Sequence, residues 1–466
     1  MSPAPPYGPA NTAPLDRGQL PPVLPPPDIE LPAIQKAILP GGLRVWFVER
    51  HALPHIALNL VIDAGTDHDP PSMPGLTAFT AEMLEAGTST MSALAIADRL
   101  DFIGAALSIH AALDGTSAAM YTLTKHFSEA VGVLGEIFSS PVFPPEEIER
   151  VRSQRRTALL QQRDRPAYVA NMAFHRILYG THPYGNDPTG TEASLNAIAR
   201  EDIKGFYETH LRPTSATLIV VGDAEAEPLS AELQKAFGNW GQGSGEPHPV
   251  EPVPVPPRRK VYLLDKPGAP QSEIRIGCQS LRRNTPDFFP VIVMNRILGG
   301  QFSSRINRNL REEHGYTYGA WSAFRFAKQE GPFVALGGFI SDKTDRAIVE
   351  LLSEIDGMHA HGITQAELDF SKKGICGSFA LNFETPLQIA NTLQNIVLYG
   401  LPDDYYQQYV RNVQAVTLED VARVSRKYLD SSTMSILVVG DVAKIKEPIE
   451  KLGLGELVVE RGEERL

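Results

Sequence analysis

Cysteine is scarce: two residues in 466, Cys278 and Cys376. That excludes a disulfide-stapled scaffold. Cys278 falls in a strand-like run and Cys376 in a helix-like one, so buried thiols and a single bridge both remain open. There is no excess of positive charge either. The chain has 43 basic against 55 acidic residues and a formal net charge of −12. A nucleic-acid surface needs clustered Lys and Arg, so this balance argues against one. The densest basic run, Arg150 to Arg165 with Gln154, Gln161 and Gln162 interspersed, reads as a solvated helix face. No run of about 18 apolar residues exists to span a membrane. The N-terminus lacks the charged-then-apolar order of a signal peptide.

What is present is the composition of a soluble globular protein, 42% hydrophobic and 21% charged, with a length that implies more than one domain. Two proline-rich stretches punctuate it. Residues 1–33 (Pro21, Pro22, Pro25, Pro26, Pro27) read as an extended leader, and residues 241–258 (GQGSGEPHPVEPVPVPPR) as an interdomain linker. The expected units are therefore 34–240 and 259–466. A proline-rich leader fits a bacterial periplasm, with the cytoplasm as the alternative.

The two units resemble each other. AREDIKGFYETHLRPTSATLIVVGD at 199–223 and TLEDVARVSRKYLDSSTMSILVVGD at 417–441 align without a gap. Glu201, Asp202, Leu211 and Val220-Val221-Gly222-Asp223 meet Glu419, Asp420, Leu429 and Val438-Val439-Gly440-Asp441. Each copy reads as a helix, a turn and a buried strand. In the first unit, Leu43–Val48, Ile56–Ile62 and Ala106–Ala111 read as strands. Met91–Ile103, Pro145–Arg163 and Asp202–His210 read as helices. The expected fold is α+β: a duplicated unit of about 220 residues, each a mainly antiparallel sheet with helices packed on one face.

The stretch Gly75 to Thr88, GLTAFTAEMLEAGT, carries the decisive pattern. It resembles the pitrilysin–insulinase zinc peptidases, whose active members place an inverted H-x-x-E-H motif in a frame like G-L-x-H-x-x-E-H-M-L-x-x-G-T. The frame stands in Gly75, Leu76, Met83, Leu84, Gly87 and Thr88. The chemistry is gone: Ala78 and Glu82 occupy the two His positions, and Ala81 that of the general base. Two His four apart on a helix share a face and can both ligate Zn²⁺, and the Glu activates the bound water. Alanine supplies neither. The resemblance implies a third ligand, a Glu roughly 75 residues further on in a helix, yet Arg150 to Arg163 contains no acidic residue. No cofactor is therefore expected in this chain. His182, in Tyr179-Gly180-Thr181-His182-Pro183-Tyr184-Gly185, resembles part of the family's post-helix loop and reads as structural. His359 and His361 form an H-x-H in an expected loop.

The second unit keeps more. Leu298-Gly299-Gly300-Gln301-Phe302-Ser303-Ser304-Arg305 leads to Leu310-Arg311-Glu312-Glu313-His314-Gly315-Tyr316-Thr317-Tyr318, similar to the family's L-G-x-x-x-S-S-R-L and L-R-E-x-x-G-x-x-Y. The resemblance implies that Arg311 and Tyr318 reach the scissile region of a substrate. Ile306 to Glu313 reads as a helix stopped by Gly315, with Tyr318 entering a strand. Guanidinium and phenol donors aimed at an oxyanion stabilise its charge. The competing reading pairs Arg311 with Glu312 or Glu313 and packs Tyr318. The implied function is the non-catalytic subunit of a heteromeric zinc peptidase. A homologous partner with an intact H-x-x-E-H would supply zinc and base, and a peptide substrate would add a strand to a sheet edge. The alternatives are a structural or assembly subunit and a free-standing peptide-binding module.

Overall fold

The computed structural model describes residues 33–241, 250–255 and 259–461, together with Gly18. The leader and most of the linker, 242–249 and 256–258, lie outside the described residues. The first half runs β1 (Gln35–Ile38), β2 (Arg44–Glu49), β3 (His55–Ile62), α1 (Leu76–Leu84), α2 (Ala93–Phe102), β4 (Ala106–Ala111), β5 (Thr116–Leu123), α3 (Phe127–Ser139), α4 (Pro145–Arg163), α5 (Pro166–Tyr179), α6 (Glu192–Ala197), α7 (Arg200–His210), β6 (Ala216–Gly222) and α8 (Ala226–Phe237). The second runs β7 (Lys260–Asp265), β8 (Gln271–Gln279), α9 (Phe288–Leu298), α10 (Arg305–Asn307), β9 (Thr317–Phe324), β10 (Pro332–Ile340), α11 (Thr344–His361), α12 (Gln365–Phe379), α13 (Pro386–Tyr399), α14 (Tyr405–Ala415), α15 (Leu418–Tyr428), β11 (Ser435–Gly440), α16 (Val442–Glu450) and β12 (Glu456–Arg461).

Each half contains one six-stranded mixed sheet. The orders are β1-β2-β6-β3-β5-β4 and β12-β7-β11-β8-β10-β9. Apart from the outermost strands β1 and β12, the orders correspond strand for strand. The repeat at 199–223 and 417–441 forms the same helix, 3₁₀ turn and central strand in both copies, α7–β6 and α15–β11. Thr417 caps α15 by accepting from the Asp420 amide, and the Asp420 carboxylate accepts from the Thr417 amide, at 3.1 and 3.0 Å.

Strand composition explains the layering. β6 (ATLIVVG) and β11 (SILVVG) are buried at every position, which requires cover on both sheet faces. One face of each sheet packs on its own half's helices, as expected. The other face receives a helix from the opposite half. On the first sheet, Val48, Val61, Ile219 and Val221 meet Ile389, Leu393 and Ile396 of α13. On the second, Tyr262, Leu264, Leu437 and Val439 meet Val169, Ala173 and Ile177 of α5. Both exchanged helices start on proline and end in Tyr-Gly, with Gly180 and Gly400 at φ 59 and 58°, where a side chain would be strained. Polar contacts reinforce the exchange. Asn59 donates to Asn391 and Gln394 at 3.0 and 2.8 Å, and Arg275 donates to Asn171 at 2.8 Å.

Several local expectations change. The described part of the linker, 250–255, is docked. Val253 donates its amide to Gln329 at 2.9 Å, and the Glu251 carbonyl accepts from Gln329 at 2.6 Å. His359 and His361 are the end of α11, not a loop, and Gly362 at φ 67° stops the helix. Helical residues two apart point to opposite sides, so they cannot close on one metal. Cys278 and Cys376 are both free thiols, and burial pushes the Cys278 thiol up to about 12.

Candidate functional site

The degenerate motif sits on α1, as its frame implies. Asp69 fixes the helix start: it accepts from the Gly75 amide at 2.7 Å, the Thr77 amide at 2.7 Å and the Thr77 hydroxyl at 2.6 Å. Burial raises its pKa to about 6, against the lowering effect of those donors. Gly75 lies at φ 90°, and a Cβ there would strike the Gly190 backbone at 2.7 Å, so the frame glycine is sterically required. Ala78 and Ala81 present methyl groups where ligand and base would stand.

Glu82 does not face solvent alone. Arg155, 73 residues on and turned inward from α4, donates Nη1 to Glu82 Oε1 at 3.2 Å. The Arg155 side chain is buried and lies 5.7 Å from the Phe79 ring centroid. Burial depresses its pKa, while Glu82, Asp69 and Asp187 oppose that shift. A guanidinium thus stands beside the carboxylate where a metal ligand would be needed. Its charge repels a divalent cation, and Glu82 is already its partner. These residues do not fit zinc. Among the described residues no cluster of His, Cys, Asp or Glu could hold a metal. The basic run is also corrected: Arg152 bonds the Leu195 and Ile198 carbonyls and Arg155 is buried, so only part of α4 is a solvated face. His182 is structural. Its Nδ1 accepts from the Tyr184 amide at 3.1 Å, which leaves Nε2–H to donate to the Glu251 carbonyl at 2.8 Å, the pattern of a neutral ring.

The second half places Arg311 and Tyr318 differently from a packed pair. Arg305–Asn307 is α-helical, but Arg308–Glu313 continues as a π-helical turn, a form found often at functional sites. Arg311 lies in that turn with its guanidinium 4.4 Å from the Phe302 ring centroid. No carboxylate pairs with it among the described residues. Tyr318 enters β9, where the register with β10 slips between Gly337 and Phe339, and its side chain is 90% exposed. Neither Glu312 nor Glu313 neutralises the arginine, and the tyrosine ring is not packed. No hydrogen bond or cation–π contact links Arg311 to Tyr318.

The sheet edges also differ. The outer rim of β9 is sealed by its own half: Ala320 donates its amide to Asn307 at 3.2 Å, Ser322 to the Gly299 carbonyl at 3.1 Å, and Asn295 donates to the Ser322 carbonyl at 3.1 Å. β4, the corresponding strand beside α1, has no backbone partner beyond β5 among the described residues, and its Ile109 amide donates to the Glu85 carboxylate.

Comparison with known proteins agrees with this architecture. Residues 44–192 match the insulinase (peptidase family M16) model, and residues 197–375 match the peptidase M16 inactive domain. The chain belongs to the M16 family. It is 25% identical over 406 residues to a Helicobacter pylori protein named non-peptidase homolog YmxG, covering 86% of this chain and 93% of that one. It is 24% identical over 395 residues to an uncharacterized zinc protease, YmxG, of Bacillus subtilis, covering 84% and 95%. A crystal structure of a peptidase M16 inactive domain from Pseudomonas fluorescens superposes with a TM-score of 0.82 at 26% identity, over 87% of this chain and 98% of that one. Within the M16 frame, the motif positions of this chain are Ala78, Ala81 and Glu82, with Arg155 beside them. Among the described residues no helix is long and apolar enough to cross a membrane.

Proposed function

We propose that this chain is the non-catalytic subunit of a heteromeric M16 zinc peptidase. Its partner carries the intact H-x-x-E-H with zinc and base, and this chain contributes Arg311 and Tyr318 across the shared chamber. The observation that carries the reading is their unspent chemistry. A guanidinium that rests on Phe302 without a carboxylate, and a phenol exposed on a bulged strand, keep their donors free of ion pairs within this chain's described residues. Both are donors, and both gain value as negative charge develops on a scissile carbonyl. An extended peptide would have β4 as its edge on this chain, because the rim of β9 is occupied.

The test is peptide hydrolysis by the reconstituted pair, with assembly followed by size-exclusion chromatography. Tyr318→Phe removes only the hydroxyl; Arg311→Ala removes the charge. Loss of one oxyanion donor costs about 10²–10³ in rate, and each variant is expected to lose at least tenfold in kcat/KM while the complex stays intact. Full activity in both would make this chain a structural wall. Co-purification of a tagged copy with no M16 partner would favour the free peptide-binding module.

A further inference from the structure

The second half contains a cleft that the peptidase reading does not use. It has two adjoining lobes, of about 300 and 390 Å³, sharing Phe326, Phe379, Asn382 and Tyr409 as common walls. One lobe is floored by Arg296 and the other by Arg283. No Asp or Glu lines either lobe, although the chain as a whole carries a net charge of −12.

Among the described residues neither arginine has a counter-ion. Arg283 is 7% exposed. Its guanidinium lies 3.7 Å from the Phe288 ring centroid and 4.9 Å from that of Tyr405, and its one side-chain hydrogen bond goes to the Tyr405 hydroxyl at 2.9 Å. Arg296 has no hydrogen-bond or ion-pair partner among the described residues, and its Nε is buried and unsatisfied. Its guanidinium lies over Gly374 of α12: a Cβ there would come within 2.4 Å of Nη2 and 2.8 Å of Nε. A mid-helix glycine weakens a helix, and here its missing side chain is the space the guanidinium occupies. Burying a cation without a partner is costly. Arg283 recovers part of that cost from two aromatic faces; Arg296 is half-buried and bears it at its enclosed, unpaired Nε.

We infer that this cleft binds an organic carboxylate: the acid group meets the guanidinium of Arg296, with Arg283 adding charge from the neighbouring lobe, and an apolar or aromatic body rests on Phe326, Phe379 and Tyr409. Such a fork-to-carboxylate contact uses the donors Arg296 leaves unpaired, and the lobe volumes suit a single small side chain with its acid group. A free organic acid and the C-terminal carboxylate of a peptide share this chemistry. The cleft is complete within this chain, so the inference stands apart from the oxyanion role of Arg311 and Tyr318.

Isothermal titration calorimetry on the full chain, without a partner, tests it. The probes are N-acetylphenylalanine and its amide, and a short peptide ending in phenylalanine as free acid and as amide. The acids are expected to bind and the amides not. Binding of the peptide acid identifies a peptide terminus as ligand; binding of the single amino acid alone identifies a free acid. Arg296→Met and Gly374→Ala, the latter placing a methyl in the guanidinium's seat, are each expected to weaken binding at least tenfold while circular dichroism stays unchanged. Equal binding of acid and amide, unchanged affinity in Arg296→Met, or no binding of any acid at about 10 mM, roughly tenfold above a millimolar Kd, overturns the assignment.

Discussion

If Arg155 occupies the electrostatic place of the metal, restoring the motif alone must fail. The variant Ala78→His, Ala81→Glu, Glu82→His rebuilds two ligands and the base but leaves a guanidinium that now lies 3.2 Å from a Glu82 oxygen. Two unit charges about 4 Å apart at an effective dielectric of about 20 interact by about 4 kcal/mol, so a divalent ion meets about 8 kcal/mol of repulsion before the side chain retreats. Retention of even a quarter of that, about 2 kcal/mol, weakens binding about 30-fold. The missing third ligand weakens it further. Adding Arg155→Glu to the triple variant removes the cation and supplies a carboxylate from the same helix position. Zinc per chain is measured by elemental analysis after chelator washing, and Kd by competition with a chromophoric chelator. The wild-type chain and the triple variant are expected to hold well under one zinc, and the quadruple variant close to one. Equal affinity in triple and quadruple variants, or stoichiometric chelator-sensitive zinc in the wild type, would show that Arg155 does not stand in the metal's place.

The helix exchange predicts that a chain cut at a protease site introduced between residues 241 and 250 elutes as a single species in native size-exclusion chromatography and separates only in denaturant. Leu393→Ala, which opens a cavity between α13 and the first sheet, is expected to cost about 2–5 kcal/mol in urea unfolding, although Leu393 belongs to the opposite half. Asp287 accepts from Arg423, Lys427 and Tyr428 at 2.6, 2.9 and 2.7 Å, and those donors bring its pKa to about 2 against the opposing effect of burial. A depressed carboxylate contributes stability above its unfolded pKa and loses it as pH falls through the folded value. Asp287→Asn should therefore cost about 1–2 kcal/mol at pH 7, discounted for the exposed Arg423 and Lys427, and the difference should vanish between about pH 4 and pH 2.

The duplication was readable because helix, turn and buried strand recur at one offset. The helix exchange was half readable. Strands as continuously apolar as Leu218–Val221 and Ile436–Val439 demand cover on both faces, which an arrangement with helices on one face alone does not provide. The shared Pro-start and Tyr-Gly end of α5 and α13 pointed to the covering pair. Arg155 carried a signal too: it stands on the buried stripe Ile148, Val151, Arg155, Leu159, spaced three and four apart, where an exposed basic face would not place it. Gly362 marked the end of α11 beyond His361, so the histidines were readable as helical. The π-helical turn at Arg308–Glu313 was not. Its hydrogen bonds span one residue more than an α-helix, a difference without a compositional mark.

The two halves show what a duplicated frame does with the same pair of helices. In the first, α1 and α4 bring Glu82 and Arg155 together, and the pair closes on itself. In the second, α9 and α12 hold the corresponding positions: Arg296 comes from α9, Gly374 of α12 provides its seat, and no carboxylate answers. The first arrangement spends its charge internally and has no further need of a cation. The second keeps a half-buried cation with no carboxylate partner among the described residues. What remains outward-facing lies in the second half: Arg311 and Tyr318 near the start of β9, and the arginine cleft toward its end at Phe324.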